Sequence, residues 1–260
     1  MIRPLPGWVR GLAITGALLI GLPLLGLMLR VPWLQIPELL SQPAALDALL
    51  LSLRTCLAST LLCLLLGLPL ALGLSRLRGR WAAAGRALAT VPMVLPPVVA
   101  GLALLVTLGR RGLIGQVLSL GGIEIGFTTM AVVLAQAFVA MPFLVVAVEG
   151  ALRSMDPGAE LVAATLGAAP TRVLWRVTVP ALRPAIISGA SLAAARALGE
   201  FGATITFAGS LQGSTRTLPL EIYLQREVDT ETALALAAVL IGLAVLLVLA
   251  TGLLGRSRTA

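Results

Sequence analysis

Apolar and polar positions follow one another in long blocks along this chain, not with the short periods of a soluble fold. Five uncharged runs stand out: Gly11 to Leu29, Thr55 to Ser75, Ala87 to Gly109, Ile125 to Val148 and Thr232 to Gly255. A helix rises about 1.5 Å per residue and the hydrocarbon core of a bilayer is about 30 Å thick, so each run is long enough to cross as a helix. A sixth apolar segment, Pro184 to Ser210, is interrupted by Arg196 and Glu200. The pattern predicts an all-α polytopic membrane protein with six transmembrane helices, forming one membrane domain over residues 1–260. The first run follows Arg3 and Arg10, as a secretory signal would. It is longer than the core of a signal peptide and no small-x-small cleavage pattern follows it closely, so it reads as a retained helix.

Composition agrees. Hydrophobic residues make up 58% of the chain, charged residues 12%, and the mean hydropathy is +1.03. A soluble domain carries about 25% charged residues, which argues against a water-soluble enzyme. All 19 cationic side chains are Arg; Lys and His are absent. That removes a P-loop Lys, a Schiff-base Lys, an imidazole base and a His metal ligand, so no metal site, catalytic residue or bound cofactor is expected. Cys56 and Cys63 lie seven apart in an apolar run, on one helix face, and read as packing residues.

The net charge of +8 does not read as a nucleic-acid footprint, because the arginines sit in clusters between apolar runs. With six spans and the N-terminus inside, twelve arginines fall on the inner side, from Arg3 and Arg10 to Arg256 and Arg258, against five outside. The positive-inside rule then makes both termini cytoplasmic. Arg76, Arg78, Arg80 and Arg86 read as an inner anchor to anionic membrane lipid.

Four local features carry candidate chemistry. Pro92, Pro96 and Pro97 remove three backbone donors within the third span and predict a kink or break, read either as a packed bend or as one lining a pathway. Arg196 and Glu200 are one turn apart in the fifth span, where unpaired charge is costly. They read as a structural pair, or Arg196 faces the pathway and attracts a divalent oxyanion. On the outer side Arg110, Arg111 and Arg216 read as solvated charge or as a docking surface for an external binding protein. The inner connection from Glu149 to Arg183 predicts two short helices. Asp156 caps the first, Pro157 suits its first turn and Gly167 stops it. Pro170 opens the second, which is expected to end before Pro180.

That inner connection carries a family resemblance. Glu160-Leu161-Val162-Ala163-Ala164-Thr165-Leu166-Gly167, then nine residues, then Val177-Thr178-Val179-Pro180 resembles the cytoplasmic Glu-Ala-Ala loop of ABC-importer permeases. It departs in having Leu161-Val162 where alanine or polar residues are usual. Leu198-Gly199-Glu200-Phe201-Gly202 is similar to molybdate and sulfate permeases. Val94-Leu95-Pro96-Pro97, with Gly109-Arg110-Arg111-Gly112-Leu113-Ile114-Gly115 and Thr215-Arg216-Thr217-Leu218-Pro219, is closer to the molybdate type, over about residues 46–250. The resemblance implies a type I importer fold in the bacterial inner membrane and use as a homodimer. It implies a coupling loop over residues 150–183, with Asp156, Glu160, Ala163, Ala164, Gly167 and Pro180 in the motif. Two cytoplasmic ATPase subunits would hold ATP and Mg, and an external oxyanion-binding protein would deliver molybdate. Tungstate or sulfate is the alternative cargo.

Overall fold

A computed structural model describes residues 6–256; Arg3 and Arg258, counted in the charge balance, lie outside the described residues. Among the described residues there is no strand. The chain runs through α1 (Gly7–Arg30), α2 (Ile36–Ser41), α3 (Pro43–Arg76), α4 (Gly79–Val94), α5 (Pro97–Leu108), α6 (Gly115–Leu120) and α7 (Thr129–Ser154). It continues through α8 (Gly158–Thr165), α9 (Pro170–Val173), a π turn (Leu174–Thr178), α10 (Val179–Leu198), α11 (Gly202–Ala208), α12 (Leu218–Val228) and α13 (Thr230–Arg256). Among the described residues five helical stretches are long and apolar enough to cross a membrane, and the α4–α5 pair, taken as one crossing, brings the number to six.

The centre is a three-helix contact of α3, α7 and α10. The buried stripe of α3 is built of small residues at helical spacing, including Ala45, Ala48, Ser52, Cys56, Ser59, Cys63, Gly67 and Ala71. Lipid tails are as apolar as leucine, so such helices associate through close packing, which small side chains permit. Cys63 Sγ reaches Ala137 O at 3.6 Å on α7, and Cys56 Sγ reaches Ala194 O at 3.3 Å on α10. Both cysteines are therefore the packing residues their spacing predicts, and both are free and buried. In contrast, α1 buries no residue against the rest of the chain.

The elements around the coupling loop order the crossings. The C-terminal ends of α3 and α7 share one side, because Arg76 contacts Glu160 of α8 and α7 leads into α8. The chain must therefore pass from Arg76 to Thr129 on the opposite side, which makes α4 and α5 one broken crossing. Their axes turn by 113°. Pro96 sits in the break as the residue before α5 and Pro97 is its first residue, while Pro92 lies inside α4. The break falls there because Pro97 cannot donate to the α4 ladder and restricts the residue before it.

The fifth span differs from its expected bounds. The segment starting at Pro170 does not end before Pro180; it continues through the π turn into α10 and stops at Leu198, not Ser210. The widened turn, with Val179 N–H bonded to Leu174 O, lets the helix absorb Pro180, which would otherwise break it. Gly199 to Phe201 then leave the helix, and α11 is a separate helix of about two turns packed on α5 and α7.

Helices α5 and α11 touch backbone to backbone. A Cβ at Gly101 would lie 2.6 Å from Thr206 Cβ and 2.7 Å from Ala203 O; one at Gly202 would lie 2.5 Å from Pro97 Cβ. Gly101→Val is therefore expected to cost about 1–3 kcal/mol by overpacking. Gly73→Ala, where nothing lies within 4 Å, is expected to be neutral or stabilising by up to about 1 kcal/mol through helix propensity. Thermal unfolding in detergent checks both; equal midpoints for the two variants would contradict the close approach.

Candidate functional site

The connection from Glu149 to Arg183 is folded by its own sequence. Asp156 Oδ1 accepts from Gly158 N–H at 3.1 Å, which starts α8 two residues after the Asp. Gly167 takes φ +79°, and the N–H groups of Gly167 and Ala168 bond Ala164 O and Ala163 O. This is the left-handed ending that glycine permits. Ala163 and Ala164 thus serve the end of the helix, and Pro180 sits at the start of α10 beyond the π turn.

Glu160 ties this helix to the membrane helices. Its Oε1 accepts from the hydroxyl of Thr178 at 2.5 Å, and Oε2 lies 3.8 Å from Arg76 Nη2. Thr178 is buried, in the π turn at the base of α10; Arg76 ends α3 and is 71% exposed in its side chain. Glu160 therefore binds within its own chain at the junction of α3, α8 and α10. It borders a pocket of about 290 Å³ with Arg76, Pro157, Ala164, Leu174 and Thr178. Three apolar side chains of α8 and its C-terminal end are open: Leu161 is 63%, Val162 60% and Leu166 80% exposed. The two residues that depart from the familiar motif therefore sit on the open surface.

The Arg196–Glu200 pair is formed, at the C-terminal end of α10. Arg196 Nη1 lies 2.6 Å from Glu200 Oε2, and Glu200 Oε1 accepts from Ala203 N–H at 2.7 Å. Glu200 is 1% exposed, and the Arg196 side chain keeps 28%. Glu200 thus bridges the break: it holds the last turn of α10 through Arg196 and satisfies a free donor at the start of α11. The break runs through Gly199-Glu200-Phe201-Gly202, where Gly202 admits the close approach to Pro97.

At the opposite end, the 109–115 segment closes on itself. A Cβ at Gly115 would lie 1.8 Å from Gly109 O, so the loop folds this tightly only with glycine there. Arg110 projects from it, paired with Glu124 at 3.2 Å and 77% exposed; Arg111 is also exposed. Arg216 is placed differently. It pairs with buried Glu221 at 3.4 Å and reaches Ser210 Oγ at 3.1 Å, linking the loop after α11 to α12. Nearby, Asp229 caps α13, and the bond from the Thr232 hydroxyl holds its carboxyl below the usual carboxylate range.

Three partners escape sequence reasoning. Thr178 looks like an unremarkable residue of the motif. Arg76 reads as one member of a basic cluster. Arg86, expected as a lipid anchor, instead pairs with Glu149 of α7 at 2.5 Å. The available signal is that Glu149 ends an apolar run just as Arg86 precedes one.

A broken-span helical bundle with a short helix at one end is the architecture of a polytopic membrane protein. Residues 64–258 match the family model described as the binding-protein-dependent transport system inner membrane component. The chain belongs to this family. It is 54% identical over 248 residues to the molybdenum transport system permease protein ModB of Mycobacterium tuberculosis, covering 95% of this chain and 94% of that one. It is 32% identical over 252 residues to the sulfate transport system permease protein CysT of Salmonella typhimurium, covering 94% and 91%. In fold it is similar to a chain of a bacterial alginate ABC transporter crystallised with its pentasaccharide-bound periplasmic protein. The TM-score is 0.73 at 17% identity, covering 97% of this chain and 94% of that one.

Proposed function

We propose that this chain is the membrane-spanning subunit of an ATP-driven importer for molybdate. The observation that carries the substrate is its identity, over nearly the whole of both chains, to a molybdenum transport permease. The working unit is a homodimer with two cytoplasmic ATPase subunits and an external oxyanion-binding protein. ATP and Mg are held by the ATPases; a chain without lysine lacks the usual phosphate-binding loop.

The coupling helix α8 docks on the ATPase through Leu161, Val162 and Leu166, whose exposure favours an apolar contact. Closure of the ATPases moves α8, and the Glu160–Thr178 bond passes that motion to the base of α10. The coupling loop and both chain ends face the cytoplasm, which the inner arginine excess and six crossings support. The α4–α5 break and Arg196 line the path; the partial exposure of Arg196 favours this. Arg110 and Arg111 meet the binding protein outside, while Arg216 is engaged with Glu221. Alternating access follows: the outer side opens when the ATPases close, and hydrolysis resets the inward state.

The test is uptake of labelled molybdate into vesicles containing the assembled transporter, with tungstate or sulfate as competitor. Tungstate is expected to compete and sulfate at equal concentration to leave uptake nearly unchanged. Sulfate competing as well as unlabelled molybdate would transfer the reading to sulfate.

A further inference from the structure

Helix α4 is held loosely for a half-span. Ala82 is its one buried residue; Trp81, Leu88 and Val94 are 67%, 76% and 84% exposed. Beneath it lies an apolar pocket of about 300 Å³, bordered by Gly85, Leu88 and Pro92 of α4, Leu70 of α3, and Met141 and Pro142 of α7. A proline from each of α4 and α7 thus faces the same pocket, and each removes a backbone donor where the helix passes it. The polar contact between the two helices is the pair from Arg86 Nε to Glu149 Oε1 at 2.5 Å, with side chains 32% and 11% exposed.

We propose that Arg86–Glu149 is a latch that holds α4 on α7 and opens when α4 swings about the break at Pro96 and Pro97 to widen the inner mouth of the path. This rests on the reading that α4 and α5 line that path. Depth decides between a latch and a fixed rivet. Arg86 lies seven residues into α4 and Glu149 five residues from the end of α7, so each is about 8–10 Å from its inner helix end. At that depth the long Arg86 side chain, which leans toward the N-terminal, inner end of α4, reaches headgroups or water when the pair separates. Arg196–Glu200, which begins from a buried carboxylate with a second hydrogen bond, has no such escape. The inner pair is therefore the one that can break and re-form during transport, and the pocket under α4 gives the helix room to repack.

Met141 reports on the latch, because it lies under α4 and is partly covered. The experiment places Met141→Cys in a Cys56→Ala/Cys63→Ala background of the assembled transporter in vesicles, and measures its rate of modification by a charged maleimide from the coupling-loop side without nucleotide. Arg86→Gln and Glu149→Gln are expected to speed modification at least about tenfold, the factor for losing one charged hydrogen bond. The exchange Arg86→Glu/Glu149→Arg is expected to restore the slow rate. Parent-like rates in both Gln variants overturn the latch, and so does an exchange variant that is inserted but stays fast. If the Gln variants fail to insert, Arg86→Lys replaces them: an intermediate rate supports the latch and an unchanged rate overturns it. Molybdate uptake is read in parallel. Fast modification with unchanged uptake keeps the latch and removes α4 from the path, so failure of one reading is separable from failure of the other.

Discussion

Glu160→Ala is expected to lower molybdate uptake by the assembled transporter at least about tenfold while leaving the amount of permease in the membrane unchanged. The substitution removes the acceptor of the Thr178 hydroxyl, which is buried at the base of α10. An unpaired buried hydroxyl costs about 1–3 kcal/mol, and about 1.4 kcal/mol is a factor of ten in an equilibrium. That cost falls on the junction between α8 and α10, not on α8 itself, whose ends stay closed by Asp156 and Gly167. Glu160→Gln separates the contributions. It keeps a carbonyl for Thr178 and loses only the 3.8 Å contact with Arg76, an exposed pair worth about 0–1 kcal/mol. Uptake by Glu160→Gln should therefore stay near the parent. ATP hydrolysis stimulated by the binding protein is the second measurement, and it should fall with uptake in the Ala variant. Normal uptake by a normally inserted Glu160→Ala would detach this bond from coupling.

The second large effect lies at the α10–α11 break. Glu200→Ala leaves Ala203 N–H without its acceptor and Arg196 without a counter-charge inside the membrane domain. Removing one partner of a buried pair costs about 3–5 kcal/mol. That is a large fraction of the roughly 5–15 kcal/mol by which domains are stable, so the variant is expected to be depleted from the membrane fraction or to unfold at markedly lower temperature. Arg196→Gln differs, because its amide can still donate to Glu200, and Glu200 keeps Ala203. We expect near-normal abundance with reduced uptake, as a cation that meets the oxyanion would give. Equal loss of abundance in both variants would reduce the pair to a structural tie.

Much of this molecule was legible before folding because membrane burial is a one-dimensional constraint. A run such as Ile125 to Val148 must be helical to satisfy its backbone in lipid, and α7 takes up most of it, starting four residues later at Thr129 and running six residues past its end to Ser154. The coupling helix was equally local: Asp156 and Gly167 act on backbone groups within a few residues of themselves. The same locality explains the misplaced ends. Charge-free runs locate hydrocarbon, not helices, so α3 begins twelve residues before Thr55. Pro180 reads as a stop by its missing donor, yet the π turn over Leu174–Thr178 just before it carries the helix through.

Sequence by itself determined that this chain crosses a membrane as helices, and that a short helix starts after Asp156 and stops at Gly167. The first follows from the cost of exposing backbone and charge to lipid, the second from capping of nearby backbone groups, and each segment meets these alone. Only tertiary structure decided which charges meet. Arg86 finds Glu149, Glu160 turns inward to Thr178, and Arg216 is taken up by Glu221, because ion pairs depend on which helices lie side by side. The small-residue stripes of α3, α5 and α11 set those neighbours by letting backbones approach, and a pattern of polarity along the chain contains no record of that approach.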